Sequence, residues 1–275
     1  MKAVFSCNPK RIINGLSSAI QCCSDIECIL WLPTSKPVMD MFDEVSPDLF
    51  FCDSDFFSQE LEIALQNNPQ TRFISIGNAN GFSINPHLAI GNSGTDKFPE
   101  IPASPAANLA QINRGSYDEK LACDVICITN NINHDKTVQM ILNYLCEKYK
   151  TKIFGDQRVK QDNYIGKVDY QTHSNAIKSA SVLVDFDGGS WCDACAMGTV
   201  PLIFSKNSHG SIDTFSKLTE LKDKLDKHIK NPTGEPMLKA LVANNTYFDM
   251  ASQVLSFFGL SECSQELFSM KASLL

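Results

Sequence analysis

The sequence predicts an α/β protein whose parallel sheets are covered by helices on both faces. The prediction depends on short apolar runs rich in β-branched residues, which alternate with amphipathic stretches at helical spacing. This alternation occurs twice, in residues 2–76 and in residues 123–204, and it is typical of parallel sheets. Residues 82–117, which separate the two series, contain many prolines and glycines and show little periodicity. We therefore expect an N-terminal domain with a linker, residues 1–118, and a C-terminal domain, residues 119–275.

The first series alternates predicted strands with predicted helices. The strands are residues 2–6, 27–32, 49–52 and 71–76, and the helices are residues 12–23, 37–45 and 56–66. In parallel sheets, ligands gather at the carboxyl ends of the strands. Asp53 and Asp55 follow the third strand, so they are candidates to face a ligand. The alternative is that they form an Asx turn or cap the next helix.

The second series centres on residues 181–205, where the pattern is strand, glycine loop, short helix, strand. The predicted strands of the series are residues 123–129, 151–154, 181–184 and 200–204, with an extended piece at 164–166. The predicted helices are residues 136–149, 171–180, 191–197, 215–229, 234–241 and 245–258. Ser211 and Asp213 are expected as N-cap residues of the charged helix 215–229. A glycine loop that leads into a helix N-terminus presents backbone N–H groups and suits a phosphate or diphosphate. An ordinary crossover between two strands, without a ligand, is the alternative.

The composition is that of a globular protein, with 43% hydrophobic and 20% charged residues. A formal net charge of −7 argues against broad electrostatic capture of nucleic acid or anionic lipid. No apolar run approaches the length of a membrane-spanning helix, and the N-terminus lacks the apolar core of a signal peptide. Many of the 11 cysteines lie in apolar runs, which indicates reduced, buried thiols and a cytoplasmic protein. Cys192 and Cys195 have the spacing of a metal pair, but no second pair completes a zinc site, and core packing is favoured.

An ordered set of motifs in residues 121–260 resembles the nucleotide-sugar-binding domain of GT-B glycosyltransferases. The set begins with a strand that ends in Gly155, followed by a Tyr-x-Gly-x-Val piece at residues 164–168. It continues with a helix that leads into Ser-Ala-Ser-Val-Leu-Val-Asp-Phe at residues 179–186. It ends with an acidic-Ala-x-Ala-x-Gly-x-x-Pro element at residues 193–201. The likeness is greatest to the spore-maturation (CgeB-type) glycosyltransferase-like family. The fold that it implies is GT-B-like, with two Rossmann-like domains and a ligand cleft between them.

The resemblance also implies roles for single residues. The carboxylate of Asp193 would bond the ribose hydroxyls of the nucleotide, although glutamate is usual there and reaches further. The alternative is that Asp193 is a helix N-terminal acid favoured by the helix dipole. Gly155 would allow close approach beside the donor. The backbone N–H groups for the diphosphate would come from Gly188, Gly189 and Ser190, and the residues that flank the base would be Tyr164, Ile165 and Gly166.

Positive charge for the diphosphate is not obvious in the motif. Relatives often carry an arginine just before the acidic residue, where this chain has Ser190 and Trp191. Arg158 or Lys160 could supply the charge, and the alternative is that both lie in a solvated loop. Asp185-Phe186-Asp187 superficially matches the Asp-x-Asp metal motif of the other glycosyltransferase architecture, and two carboxylates could share Mg²⁺ or Mn²⁺ with a diphosphate. We expect no metal or other cofactor, because GT-B relatives generally need none and Asp185 can instead cap backbone N–H groups.

These observations predict a glycosyltransferase that moves a sugar from a nucleotide-sugar donor to an acceptor hydroxyl. Asp53 and Asp55 are candidate catalytic residues, because an inverting enzyme needs a base near the acceptor; the resemblance favours a retaining enzyme, which needs no such base. His173 is the third candidate, because it opens a predicted helix and could approach the donor; a structural role is its alternative. The acceptor is not identified. A modified DNA base is one option, in a phage-encoded enzyme acting in the host cytoplasm. No membrane partner is expected, and no oligomeric state is predicted.

Two other classes stay open at this point. One is a non-catalytic nucleotide- or sugar-binding protein of the same fold, which the missing loop arginine would favour. The other is a sugar-nucleotide epimerase of the same fold, for which the sequence offers no specific set of carboxylates and histidines.

Overall fold

The chain divides into two compact units, each with its own parallel sheet. Unit 1 comprises Met1–Ser104 and Tyr247–Ser273, and unit 2 comprises Pro105–Thr246 and Leu274–Leu275. We predicted one boundary, between residues 118 and 119. In the structure, the chain passes into unit 2 at Pro105 and re-enters unit 1 at Tyr247. This computed structural model describes residues 1–6, 11–78, 82–91, 97–129, 136–155, 163–186, 188–207 and 210–275.

Strands and helices alternate along these residues. The strands are β1 (Lys2–Ser6), β2 (Glu27–Trp31), β3 (Leu49–Asp53), β4 (Arg72–Ile76), β5 (Leu88–Ile90), β6 (Glu100–Ile101), β7 (Cys123–Ile128), β8 (Thr151–Phe154), β9 (Tyr164–Gly166), β10 (Ala180–Asp185), β11 (Val200–Phe204) and β12 (Thr214–Phe215). The helices are α1 (Arg11–Ile20), α2 (Val38–Val45), α3 (Gln59–Asn67), α4 (Leu109–Ile112), α5 (Lys136–Lys148), α6 (Tyr170–Lys178), α7 (Trp191–Met197), α8 (Leu218–Lys230), α9 (Glu235–Val242), α10 (Tyr247–Phe257) and α11 (Ser261–Leu274).

The sheet of unit 1 has the strand order β2-β1-β3-β4-β5-β6, and all of these pairs are parallel. The central strand β3 is buried at every residue, as expected for a strand covered on both faces. Its Phe51 stacks on Phe5 of β1 with ring centroids 4.3 Å apart. On the other face, Phe42 of α2 meets Phe50 edge to face at 5.1 Å. These aromatic pairs contribute to the core of unit 1.

The last two helices of the chain complete unit 1. Helix α10 packs on α1 so closely that a Cβ on Gly15 would lie 2.2 Å from the ring of Tyr247. Helix α11 packs on α10 through Ser252 and Ser264, whose hydroxyl oxygens are 2.6 Å apart. The C-terminal helices were predicted as part of the second domain, but α10 packs on α1 of unit 1 and α11 packs on α10.

The sheet of unit 2 has the strand order β12-β11-β10-β7-β8-β9, again with parallel pairs. The chain builds one half outward from β7 and then returns to build the other half outward from β10. The strands at this centre, Cys123–Ile128 and Ala180–Asp185, are apolar and largely buried. The predicted α/β class with two parallel sheets is therefore confirmed.

Candidate functional site

The strand order of unit 2 reverses between β7 and β10. Asp185, the last residue of β10, pairs in register with Ile128, the last residue of β7. From this point the connections leave in opposite directions, and such a switch point opens a crevice at the carboxyl edge of a parallel sheet. Ligands of open α/β sheets bind at this kind of place, so the loop that follows Asp185 is the first candidate for a site.

The loop after β10 is held in shape by the carboxylate of Asp185. Its Oδ1 accepts the backbone N–H of Gly188 at 3.0 Å, and its Oδ2 accepts that of Ser190 at 2.8 Å. Asp185 is fully buried, and Gly188 has a φ of 71°, in the left-handed region that favours glycine. Two N–H groups that we expected to meet a diphosphate are therefore bonded to Asp185, as the capping alternative proposed. Asp187, the second acid of the motif, lies outside the described residues.

Asp193 lies in α7 and is 1% exposed. Its Oδ1 accepts the backbone N–H of Asn108 at 3.0 Å, and its Oδ2 accepts the hydroxyl of Tyr170 at 3.3 Å. The carboxylate thus connects α7 with the residues before α4 and with α6, all within unit 2. The ribose role of Asp193 stays a prediction. Sequence reasoning missed Asn108 and Tyr170, because both are distant in the chain and neither belongs to a local motif.

Gly155 lies at the end of β8, beside the end of β7. A Cβ at this position would lie 2.9 Å from the backbone carbon and oxygen of Thr129, so only glycine fits without displacing the neighbouring chain. Tyr164 closes the same place, since its hydroxyl donates to the carbonyl of Gly155 at 2.9 Å. Ile165 is 45% exposed and Gly166 has a φ of 96°. The structure therefore brings Gly155 and Tyr164 together next to the switch point, and their donor-binding roles stay predictions.

The other predicted site residues are more scattered. Arg158 and Lys160 lie outside the described residues. His173 is half-buried in α6, with its ring centroid 6.0 Å from that of Tyr170. In unit 1, Asp53 is fully buried and its Oδ1 accepts the backbone N–H of Asp55 at 3.0 Å, which caps the short 3-10 turn after β3. This is the capping arrangement weighed against catalysis, and the catalytic assignments of these residues stay predictions.

The two cysteines of α7 are buried in the core of unit 2. Among the described residues, no group of three or more His, Cys, Asp and Glu side chains could hold a metal ion, and the expectation of no cofactor stays a prediction. Cys192 donates to the carbonyl of Pro105 at 3.3 Å, and burial raises the pKa of the neighbouring Cys195 thiol to about 12. Both thiols therefore behave as core residues. Among the helices that the structure describes, none is long and apolar enough to cross a membrane.

Comparison with known proteins finds likeness in fold. No protein-family model matches the chain, and no curated protein sequence matches it either. A protein described as a UDP-N-acetylglucosamine 2-epimerase from Listeria monocytogenes is 12% identical, with a TM-score of 0.63 over 94% of this chain and 96% of that one. MnaA from S. aureus, in a co-structure with UDP, is 11% identical, with a TM-score of 0.63 over 94% and 98%. A UDP-GlcNAc 2-epimerase from Neisseria meningitidis bound to UDP-GlcNAc is 12% identical, with a TM-score of 0.58 over 98% and 99%.

These likenesses establish the fold as a GT-B-like α/β fold and correct the predicted enzyme class. The narrower resemblance to the CgeB-type family rests on the sequence motifs alone. The prediction of a glycosyltransferase is wrong: the proteins from Listeria monocytogenes and Neisseria meningitidis that share this fold are described as UDP-N-acetylglucosamine 2-epimerases. The predicted acceptor, including DNA, has no support either.

Proposed function

We propose that the chain binds a uridine diphosphate sugar through unit 2 and epimerises its sugar. The observation that carries the proposal is the position of the Asp185 loop at the switch point between β7 and β10. The fold adds support, because proteins that share it are described with UDP and with UDP-GlcNAc bound. Epimerases of this fold were among the classes that the sequence left open.

The Asp185 loop suits a diphosphate because its shape is set before the ligand arrives. Gly188 and Gly189 carry no Cβ, so phosphate oxygens can approach the backbone closely. The two hydrogen bonds to Asp185 fix the loop, and a prearranged loop loses less conformational freedom on binding. In this proposal the loop receives the diphosphate, and Asp185 is a positioning residue that acts through the loop.

In this proposal, Asp193 contacts the ribose of the nucleotide and Tyr164 flanks its base. Asn108 and Tyr170 hold the carboxylate of Asp193 in one orientation. Carboxylate oxygens can accept more than one hydrogen bond each, so the same group can also accept from ribose hydroxyls. Tyr164, the first residue of β9, donates its hydroxyl to the carbonyl of Gly155, which follows β8. From this position Tyr164 would flank the base.

In a nucleotide sugar, a proton can be removed from the carbon beside the anomeric carbon when the electron pair of the broken C–H bond expels UDP from the anomeric carbon. Re-addition of UDP, with delivery of a proton to the opposite face of the neighbouring carbon, then gives the epimer. His173 is the first candidate in unit 2, because an imidazole accepts and donates protons near neutral pH. The catalytic roles of Asp53 and Asp55 in unit 1 stay predictions. Substitution of His173 should affect turnover more than binding.

The proposal is tested by incubating the protein with UDP-GlcNAc in D₂O and recording proton NMR spectra. We expect the signal of the second epimer to grow and the proton at the inverted carbon to be replaced by deuterium. Asp185→Asn, which disturbs the loop, should lower turnover. Its matched control is Asp169→Asn, which changes an exposed cap of α6 and should retain turnover. Binding without exchange would identify a non-catalytic nucleotide-sugar-binding protein. Absence of binding would overturn the proposal.

A further inference from the structure

A second candidate site lies in unit 1, in an open pocket of about 500 Å³. The pocket is at the carboxyl ends of β3 and β4, between the 3-10 turn after β3, the start of α3 and the residues that follow β4. The side chains that matter for its chemistry are those of Ser54, Phe57, Gln59, Glu62, Asn78 and Phe82. The proposed function assigns no role to these side chains, although the catalytic candidates Asp53 and Asp55 flank Ser54 in the chain.

One wall of the pocket is aromatic and rigid. Phe57 and Phe82 stack with ring centroids 4.2 Å apart and planes 27° apart. Both rings also meet Phe73 of β4, at 5.8 Å and 5.7 Å, and Phe73 is 1% exposed. The core therefore fixes the two rings, while Phe57 and Phe82 stay half-buried at the pocket. Such a surface can pack against the apolar face of a ligand without losing side-chain freedom.

The rest of the pocket is polar. The amides of Gln59 and Asn78 offer both donors and acceptors, and the hydroxyl of Ser54 offers one donor and an acceptor. Glu62 accepts the backbone N–H of Ser83 at 2.9 Å. This backbone hydrogen bond, with one from the Ser83 hydroxyl, lowers the pKa of Glu62, so its carboxylate is ionised at neutral pH.

The charge of the pocket narrows the choice of ligand. Among the described residues that line it, Glu62 is charged and none is a lysine or arginine. A phosphate or carboxylate would therefore be repelled rather than paired. A ligand with an apolar face, hydroxyl or amide groups around its edge and no negative charge fits both the aromatic wall and the polar rim.

We propose that this pocket binds a pyranose ring without negative charge, either a free monosaccharide or the terminal sugar of a glycan. The C–H face of the ring packs on Phe57 and Phe82. Its hydroxyl groups bond to Gln59, Asn78 and the carboxylate of Glu62. The inference rests on unit 1 alone and stands whether or not unit 2 binds UDP.

The test uses the full chain without nucleotide and saturation-transfer-difference NMR with N-acetylglucosamine, glucose and the disaccharide chitobiose. We expect saturable binding in the millimolar range, and a tighter complex with chitobiose if the pocket takes a glycan end. N-acetylglucosamine 1-phosphate should bind more weakly than N-acetylglucosamine. Gln59→Ala should weaken binding at least about threefold and Phe82→Ala about tenfold, since aromatic anchors dominate such contacts. Gln66→Ala, exposed on the same helix and outside the pocket, is the matched control and should bind like wild type.

Several results would overturn the inference. One is the absence of saturation transfer from any of the sugars. Another is equal binding by Gln59→Ala and Gln66→Ala, a comparison that does not depend on Phe82→Ala folding well. Binding of tetramethylammonium but not of sugars would instead identify a cation pocket. Sugar binding that Asp185→Asn abolishes and Gln59→Ala leaves unchanged would assign the sugar to unit 2.

Discussion

Oδ2 of Asp185 lies 2.8 Å from the backbone nitrogen of Ser190, and the same carboxylate accepts the N–H of Gly188. A fully buried carboxylate is thus bonded to the glycine loop that follows its own strand. Because a buried carboxylate without hydrogen bonds is costly, the two N–H groups satisfy Asp185 while Asp185 fixes the shape of the loop. The nucleotide site that we propose is therefore built by a residue that need not touch the nucleotide.

Substitution of Asp185 by asparagine tests this dependence. The amide retains one acceptor oxygen but places an NH₂ group against a backbone N–H, so at least one charge-assisted hydrogen bond is lost. We expect the free energy of unfolding to fall by about 2 kcal/mol and UDP to bind about tenfold more weakly. Urea unfolding and calorimetric titration with UDP measure the two effects.

Asp169→Asn is the control for this change, because asparagine caps a helix as well as aspartate does and Asp169 is exposed. Its stability and affinity should match those of wild type. A loss of stability in Asp185→Asn with unchanged affinity for UDP would separate the loop from nucleotide binding.

Asp193 has a structural role that can be separated from its predicted ribose contact. Asp193→Ala leaves the buried N–H of Asn108 without this acceptor, which should cost about 1–3 kcal/mol. Tyr170→Phe removes only the second hydrogen bond and should cost less. If Asp193 also contacts ribose, wild type should bind UDP more tightly than 2′-deoxy-UDP, and Asp193→Ala should lose the preference. An unchanged preference in the variant would leave Asp193 with a structural role alone.

The contact between α1 and α10 is tested by Gly15→Ala. The added Cβ would lie 2.2 Å from the ring of Tyr247, which is 3% exposed and has little room to move. We expect a loss of about 2 kcal/mol in the free energy of unfolding. Asn14→Ala, on the exposed side of the same helix, should have almost no effect. Equal stability of the two variants would argue against packing of the C-terminal helices on unit 1.

Acid should weaken unit 2 through Asp213. Burial alone would raise the pKa of Asp213, but hydrogen bonds from Lys224 and His228, with the charges of Lys224 and Lys227, lower it from 3.8 to about 2. A lowered folded-state pKa stabilises the protein above the unfolded value, near pH 4, and the effect is lost as the pH falls through about 2.

The measurement is the unfolding of Asp213→Asn and wild type by denaturant at several pH values. The side chain of Asp213 is 32% exposed, so solvent reduces the effect, and we expect Asp213→Asn to lose about 1 kcal/mol at pH 7. The difference should shrink between pH 4 and pH 2. The exposed Asp223→Asn is the control. A difference that stays constant down to pH 2 would contradict the assignment.

Local patterns were enough to predict the sheets, because strands such as β3 and β10 are buried on both faces and read as continuous apolar runs. They were not enough to place the C-terminal helices, since the contact of Tyr247 with Gly15 joins opposite ends of the chain. Asp213 illustrates the same limit. Its position suggested an N-cap, but α8 begins later, after Lys217, and Asp213 instead pairs with side chains along that helix.

The candidate site was predicted in part. The glycine loop stands out in the sequence, and so does the acidic residue of α7. What the sequence did not reveal is how much of their hydrogen-bonding capacity the protein itself uses. The N–H groups of Gly188 and Ser190 bond to Asp185, and the carboxylate of Asp193 bonds to Asn108. The enzyme class was predicted wrongly, because the motifs describe a nucleotide-binding fold that different reactions share.

The most direct test of the central claim follows the backbone amide of Gly189 during a titration with UDP. Gly188-Gly189 is the only Gly-Gly pair in the sequence, so glycine labelled with ¹³C at the carbonyl and with ¹⁵N gives one carbonyl-linked amide signal, that of Gly189. If the loop binds the diphosphate, this signal shifts and saturates with UDP, and uridine alone leaves it nearly unchanged. If UDP saturates other glycine signals and the Gly189 signal stays in place, the loop at the β7–β10 switch point is not the nucleotide site.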